Sequence, residues 1–284
     1  MPYIKKIAAA VIIPFLALSS MFSCSNKDTP PKGAKELRTD FLDVGKADAI
    51  VIQTETGTVV IDCGEKGDGK RIGEVLEESG RTSIDYLIIT HFDKDHVGGA
   101  PKVLKSFEVK NVLTPDYDGT VDEYDKFCKM LEDTETPRTR ITEDMSFTLD
   151  DAEFTIYAPK ENFYGENDEN DFSLVTKVVH HNNTLLFTGD AMEQRLDEIM
   201  DIGQCTLLKM PYHGRKLDNI TDFLKATSPK CAVVCTSADE FSGKTQDALA
   251  SMKIPTYATC FNGNITAISN GGTIEFTTEK GSVS

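Results

Sequence analysis

Short apolar runs broken by glycine, asparagine and acidic residues recur along most of the chain, a rhythm that predicts strands linked by turns, with helices between some of them. Residues 36–43, 48–54 and 58–62 are three such runs, divided by Val44-Gly45-Lys46 and Glu55-Thr56-Gly57, and they predict a β-meander. Residues 70–79 are helical in composition and stop at Gly80, a residue type that closes helices because it enters the left-handed backbone region freely. Residues 84–90 are almost continuously apolar, as in a strand covered on both faces. A helix is expected over 98–107 behind Gly98-Gly99, and a second, acidic one over 120–133.

The second half repeats this logic. Residues 146–149 and 153–158 form a hairpin pair around Asp150-Asp151, and the polar loop over 159–171 is the segment expected to move most. Strands follow over 173–180 and 184–188, a helix over 191–202, a strand over 206–210, a helix over 218–226, a strand over 231–235 and a helix over 244–252. Two β-rich halves with interspersed helices predict two sheets face to face, with helices covering the outside. Chemistry then belongs on loops at one edge of the sheets.

The start of the chain reads differently. Lys5 and Lys6 precede an apolar run over 7–18, interrupted only by Pro14 and too short to span a bilayer comfortably as a helix. Cys24 follows Met21-Phe22-Ser23. The arrangement resembles a bacterial lipoprotein signal, in which a small residue precedes a cysteine that is cleaved and lipidated, although Met21 and Phe22 are not the preferred leucine and small residue. A signal peptide over 1–23, a lipid anchor to the membrane at Cys24 and an extracytoplasmic location in a bacterium are therefore expected, with cleavage and secretion as the alternative. Residues 24–35, with two prolines, Gly33 and several charges, read as a tether to a single domain over 36–284.

Removing that leader takes away two lysines and no acids, leaving 28 basic and 46 acidic residues, a net charge of −18. Such a surface repels polyanions unless bound cations or a local basic patch compensate, which weighs against a long nucleic acid without excluding one. Six further cysteines remain, and export would permit disulfides. Cys63, Cys231 and Cys235 lie in apolar strand-like runs, however, where a buried thiol is the simpler reading. Cys231 and Cys235 would stand about 13 Å apart on one strand, too far to pair.

Candidate chemistry concentrates in His91-Phe92-Asp93-Lys94-Asp95-His96, on the loop after the strand over 84–90. Four metal-ligating side chains in six residues are costly to bring together unless a cation compensates them, and two of only five histidines fall here. Further signals sit at other strand ends: Thr188-Gly189-Asp190, Tyr212-His213-Gly214, Leu42-Asp43-Val44-Gly45 and Ile61-Asp62-Cys63-Gly64. Singly each has a plain reading as a turn. In this order, all at strand ends, they point to one site. His180 and His181 are a possible additional pair, but Asn182-Asn183 beside them makes a hairpin turn the simpler reading.

The order of these motifs resembles the metallo-β-lactamase fold, an αββα four-layer sandwich. More closely it is similar to the C-terminal metallohydrolase domain of ComEC-type competence DNA-uptake proteins. The residues that carry the resemblance are Phe41–Ala49, His91–Gly99, Asn170–Val175, Thr188-Gly189-Asp190 and Lys209 with His213-Gly214. The resemblance implies that His91 and Asp93 bind one metal, that Asp95, His96 and His213 bind a second, and that Asp190 bridges them. Asn170 stands where the family has its third histidine of the first site. Tyr212-His213-Gly214-Arg215 replaces the subfamily's His-His-Gly-Ser, so one histidine and the serine are missing.

Residues and resemblance agree on hydrolysis assisted by one or two divalent ions, Zn or Mn, which lower the pKa of a bound water. Asp95 is the expected catalytic residue, ligating and orienting that nucleophile. Asp93 in place of histidine shifts the ligands toward oxygen and so toward Mn²⁺. Asn170, Tyr212, Arg215 and Lys94 are candidates for contacting substrate, each with the competing reading of a surface side chain. The leading expectation is an exported phosphodiesterase or nuclease acting on nucleic acid or a nucleotide. A hydrolase of a neutral ester, lactone or amide on the same fold is one alternative. A lipoprotein that binds a partner through a decayed metal site is another.

Overall fold

The central strands Ala49–Gln53, Thr58–Cys63, Leu207–Lys209 and Cys231–Val234 are buried on both faces because each sheet is sandwiched. In the computed structural model, which describes residues 22–25, 29–165 and 169–281, the first sheet has nine strands. Their order is Phe22–Ser25, Thr273–Thr278, Ile265–Ser269, Leu37–Phe41, Ala49–Gln53, Thr58–Cys63, Tyr86–Ile88, Val112–Pro115 and Arg138–Ile141. The second sheet has seven: Met145–Leu149, Ala152–Tyr157, Val175–His180, Asn183–Phe187, Leu207–Lys209, Cys231–Val234 and Thr256–Ala258.

Within Ala49–Gln53 the pleat sends Ile50 and Ile52 into the core between the sheets and Ala49 and Val51 toward the outer helices. Phe41 and Phe187 stack across the inter-sheet core at 6.1 Å, and Tyr257 and Phe276 at 4.5 Å. Helices Gly69–Glu78, Ala100–Ser106 and Asp122–Asp133 cover the first sheet through Ile72, Leu76, Val103 and Phe127. Helices Glu193–Glu198, Ile220–Thr227 and Gly243–Ser251 cover the second through Leu196, Phe223 and Leu249. The expected four-layer αββα arrangement is what forms.

Both sheets begin antiparallel and become parallel. The change falls between Thr58–Cys63 and Tyr86–Ile88 in the first sheet, and between Asn183–Phe187 and Leu207–Lys209 in the second. A parallel neighbour requires a crossover, so at each change two strand ends part company and leave a crevice at their carboxyl ends. The hexapeptide, Asp190 and His213 all follow strands beside these two crevices.

Several elements differ from expectation. The run over 84–90 divides: Ser83–Ile84 pairs with Glu108–Val109 in a two-stranded ribbon, while Tyr86–Ile88 enters the main sheet. Part of the hexapeptide is helical rather than loop, because a short helix, Lys94–Val97, precedes Ala100–Ser106. Strands Val112–Pro115 and Arg138–Ile141 were not anticipated; the second is polar and half exposed at the sheet edge, so it carries no alternation to read. The polar loop after residue 158 is anchored by Tyr164, a buried side chain whose hydroxyl donates to Glu198 at 2.6 Å.

Of the signal peptide expected over 1–23, residues 1–21 lie outside the described residues. Phe22–Ser25, around Cys24, pairs with Thr273–Thr278 as an edge strand, while 29–36 has neither helix nor strand. No described helix is long and apolar enough to cross a membrane.

Close packing fixes the loops around the crevice. Gly99 N–H donates to the Gly64 carbonyl at 3.1 Å, and a Cβ at Gly99 would overlap the Cys63 carbonyl oxygen and crowd Gly69 N at 2.7 Å. The backbone on both sides cannot yield cheaply. Gly99→Ala should therefore lower unfolding stability by about 2–3 kcal/mol, read from the urea midpoint; an unchanged midpoint would show that these loops are not rigidly packed.

Candidate metal centre

Asp62, the penultimate residue of Thr58–Cys63, has left-handed backbone, φ 56°, which turns its carboxylate into the seam between strands. There it accepts three hydrogen bonds: from Thr90 N–H at 2.8 Å, from the Thr90 hydroxyl at 2.7 Å and from His96 Nδ1 at 2.8 Å. Since the Thr90 hydroxyl donates to Asp62, its oxygen is left to accept from His91 Nδ1 at 3.1 Å. His213 Nδ1 donates to the Cys235 carbonyl at 3.0 Å. With Nδ1 so engaged, each of the three rings turns Nε2 inward, the second-sphere arrangement that prepares imidazole for a metal.

Those three Nε2 atoms are buried and have no hydrogen-bond partner. Asp190 projects among them: its Oδ2 lies 2.9 Å from His213 Nε2 and 3.4 Å from His96 Nε2. Ligand atoms of His91, His96 and Asp190 lie within 4.8 Å of one another, as do those of Asp95, His96 and His213, and those of Asp48, Asp190 and His213. Asp93 Oδ2 stands 3.7 Å from His91 Nε2, and Asp95 Oδ2 stands 3.8 Å from His213 Nε2. Orphaned lone pairs and carboxylates converging in a buried crevice are the donor set of one or two divalent ions, and the residues present fit such ions.

The charges answer one another. Burial works to raise the Asp190 carboxyl, and His213 and His96 overcome it, holding that group well below the usual carboxylate range. Burial also opposes a charged His96, yet Asp190 and Asp62 raise its proton affinity well above that of a free imidazole. Asp95 is likewise pushed up by burial but held below its ordinary value, by His96 against the repulsion of Asp190, with help from His213 and Lys46. The neighbouring His91 ring, working against burial, lowers Asp93.

All six expected ligands, His91, Asp93, Asp95, His96, Asp190 and His213, thus lie around one crevice. Local structure explains how. Phe92 points away from the ligands into a cluster with Tyr117 and Tyr124, its N–H donating to the Tyr117 hydroxyl at 2.8 Å, which alternates His91 inward. Tyr212 and His213 both adopt left-handed backbone, φ 47° and 51°, a strained turn that swings the imidazole back over Asp190.

The substrate candidates lie in different settings. Asn170 sits on a 3-10 turn, Glu169–Phe172, with its amide donating to Met192 Sδ at 3.5 Å and its Oδ1 buried without a partner. Arg215 is paired with Glu240 and donates to the Tyr212 hydroxyl at 3.0 Å, stacking over that ring at 4.9 Å. Lys94 is exposed at the start of the helix that carries Asp95 and His96. Asp43 leaves the centre for an ion pair with Lys280 at 3.0 Å. His180 and His181 lie at the far end of Val175–His180, with Ser269 and Asp151 as their partners.

Sequence reasoning gave no site role to three residues. Asp48 and Lys209 form a fully buried ion pair behind Asp190 and His213, and Lys46 Nζ reaches Asp95 Oδ2 at 3.3 Å. Burial opposes charge on Lys209, but Asp48 and then Asp190 outweigh it and raise its proton affinity. Among the described residues the six cysteines are free thiols.

Because Asp62 fixes the His96 ring, Asp62→Asn should weaken Zn²⁺ binding about 10–100-fold in a chelator competition. Unchanged affinity would show that the ring is oriented by other contacts.

Comparison with known proteins agrees with this geometry. The family model described as metallo-beta-lactamase superfamily matches residues 42–238, a span containing the whole centre. The chain is 24% identical over 222 residues to ComE operon protein 3 of Bacillus subtilis and 27% identical over 204 residues to Recombination protein 2 of Haemophilus influenzae. Both are ComEC-type homologues. The matches take in 71% and 69% of this chain but only 28% and 24% of those proteins, so the chain spans about a quarter of their length. The metallo-beta-lactamase fold protein YhfI of Bacillus subtilis has the same fold, with a TM-score of 0.57 at 13% identity over 79% of this chain and 96% of that one.

Proposed function

The chain belongs to the metallo-beta-lactamase superfamily, and from that premise we propose that it is an exported, metal-dependent phosphodiesterase acting on nucleic acid or a nucleotide. The observation that carries the reading is the convergence of three unpartnered Nε2 atoms and Asp190 on one buried crevice, beside two further carboxylates. The competence-related relatives favour a phosphodiester over a neutral ester as substrate.

Asp95, His96, His213 and Asp190 would hold one ion, and His91, Asp93 and Asp190 the other. The first set has two imidazoles and suits zinc; the second is richer in oxygen and suits Mn²⁺. Bound there, the ions supply Lewis-acid polarisation of water and of the scissile phosphoryl oxygen. The chain's own residues do the positioning. Asp95, held between His213 and Lys46, orients the attacking water through Oδ2. Lys46, beside Asp95, and the exposed Lys94, at the start of the helix that carries Asp95 and His96, would offer positive charge to a phosphodiester that the acidic protein otherwise repels. Asn170 Oδ1, buried and unpartnered, would accept from substrate or serve as a weak ligand.

The test is an assay panel on the unaltered chain and His96→Ala, with single-stranded DNA, a chromogenic phosphodiester and a lactone. Phosphodiester turnover should depend on added Zn²⁺ or Mn²⁺ and fall about a hundredfold or more in the variant. Turnover equal in the two proteins sinks the reading. Lactone turnover without phosphodiester turnover moves the substrate to the neutral class.

The same proposal includes anchoring to the membrane through lipidated Cys24, supported by the lysines and apolar run that precede it. In a bacterial host, radiolabelled fatty acid should enter the chain and be lost in Cys24→Ala; label retained by the variant excludes this anchor.

A further inference from the structure

One cation at the centre is shut off from solvent. Lys209 closes the strand Leu207–Lys209 at the second sheet's change to parallel pairing, and its side chain is fully buried. Its ammonium contacts the Asp48 carboxylate directly, donates to the Gly189 carbonyl at 3.0 Å and faces Asp190 Oδ1 at 3.8 Å. Asp48 belongs to the first sheet's side of the crevice, Gly189 and Asp190 to the second, so one side chain spans both. It is also one of two ammonium groups, with Lys46, set among five carboxylates: Asp48, Asp62, Asp93, Asp95 and Asp190.

The two oxygens of Asp190 have different neighbours. Oδ2 faces His213 and His96, and Oδ1, which has no hydrogen-bond partner, faces Lys209. The lysine is nearer to Asp48 than to Asp190. Asp48 therefore draws the ammonium back from Asp190 and leaves that carboxylate only partly compensated.

We propose that Lys209 is a built-in counter-cation and positioning residue of the metal centre, held off Asp190 by Asp48, so that this ion pair sets how strongly the centre takes up a divalent cation. The inference rests on the reading of the centre as a metal site. It has a consequence that a purely structural ion pair lacks: removing one partner and removing the other shift metal binding in opposite directions. Without the Asp48 charge, the ammonium turns to Asp190 as its remaining anionic neighbour and competes with the metal for it. Without the ammonium, Asp48 and Asp190 lose their internal cation, and a divalent ion is left to compensate them.

The experiment is a Zn²⁺ titration of the full chain against a chromogenic chelator, with melting temperatures measured with and without Zn²⁺. Asp48→Asn should weaken Zn²⁺ binding about tenfold or more. Lys209→Met should melt lower than the unaltered chain without metal, gain more from Zn²⁺ than the unaltered chain does, and bind Zn²⁺ at least as tightly. Both variants weakened alike, or the metal-free and metal-loaded forms of Lys209→Met losing equal stability, overturns the inference and makes the pair structural. Should Lys209→Met fail to fold even with Zn²⁺, Asp48→Asn decides: weakened binding at a near-normal melting temperature supports the inference, and unchanged binding overturns it. An unaltered chain that takes up neither Zn²⁺ nor Mn²⁺ overturns the metal-centre reading itself, a result distinct from uptake that both variants weaken.

Discussion

The Asp62 carboxylate is the contact on which the centre depends. It ties the end of Thr58–Cys63 to Thr90, beyond the end of the neighbouring parallel strand, so it is part of the sheet's own join. Through Nδ1 of His96 directly, and through the Thr90 hydroxyl to His91, it also sets the tautomer of two rings. Fold and chemistry therefore share one buried anion. Three donors to one carboxylate offset the cost of burying it, and the left-handed backbone needed to aim it is a strain that the surrounding loops hold in place.

The centre also shows why an αββα sandwich suits this chemistry. Each sheet opens a crevice where its pairing turns from antiparallel to parallel, and stacking the sheets brings the two crevices together. Side chains from four separated stretches then meet: the hexapeptide and Asp48, which holds Lys209, from the first half, Asp190 and His213 from the second. Carboxylates outnumber ammonium groups there, and the unpartnered Nε2 atoms have no protein donor to face. A cluster built this way is poised for cations, because the protein satisfies the outer side of each ligand and leaves the inner side open.

Much of this was legible in the sequence. The hexapeptide announced itself by its scarce histidines, and Asp190 and His213 by their order at successive strand ends rather than by either residue alone, while the meander over 36–62 was plain from its glycine breaks. What stayed hidden has physical reasons. Lys209 is legible only as part of a motif, since nothing local shows that its ammonium meets Asp48 from across the crevice. Asp43 and Asp48 carry the same chemistry five residues apart, and only the turn at Gly45 decides that Asp48 faces inward while Asp43 meets Lys280. Arg138–Ile141 is a strand because a parallel neighbour pairs with its backbone, not because its side chains alternate. The short helix Lys94–Val97 arises within the motif, where metal-ligating residues mask any helical pattern.

The first sheet is closed from both ends of the chain: Leu37–Phe41 lies between Ala49–Gln53 and Ile265–Ser269, with Thr273–Thr278 beyond. A ribosome adds the partners of residue 37 at opposite ends of synthesis. Until the last strands emerge, Leu37 and Phe41 have a bare edge beside them, and the inter-sheet core that steadies the crevice lacks Ile265, Ala267 and Phe276. Maturation of the centre must then wait until residues 265–278 have been made, and a nascent chain stalled short of residue 265 would hold all of its ligands without the sheet edge that completes their frame.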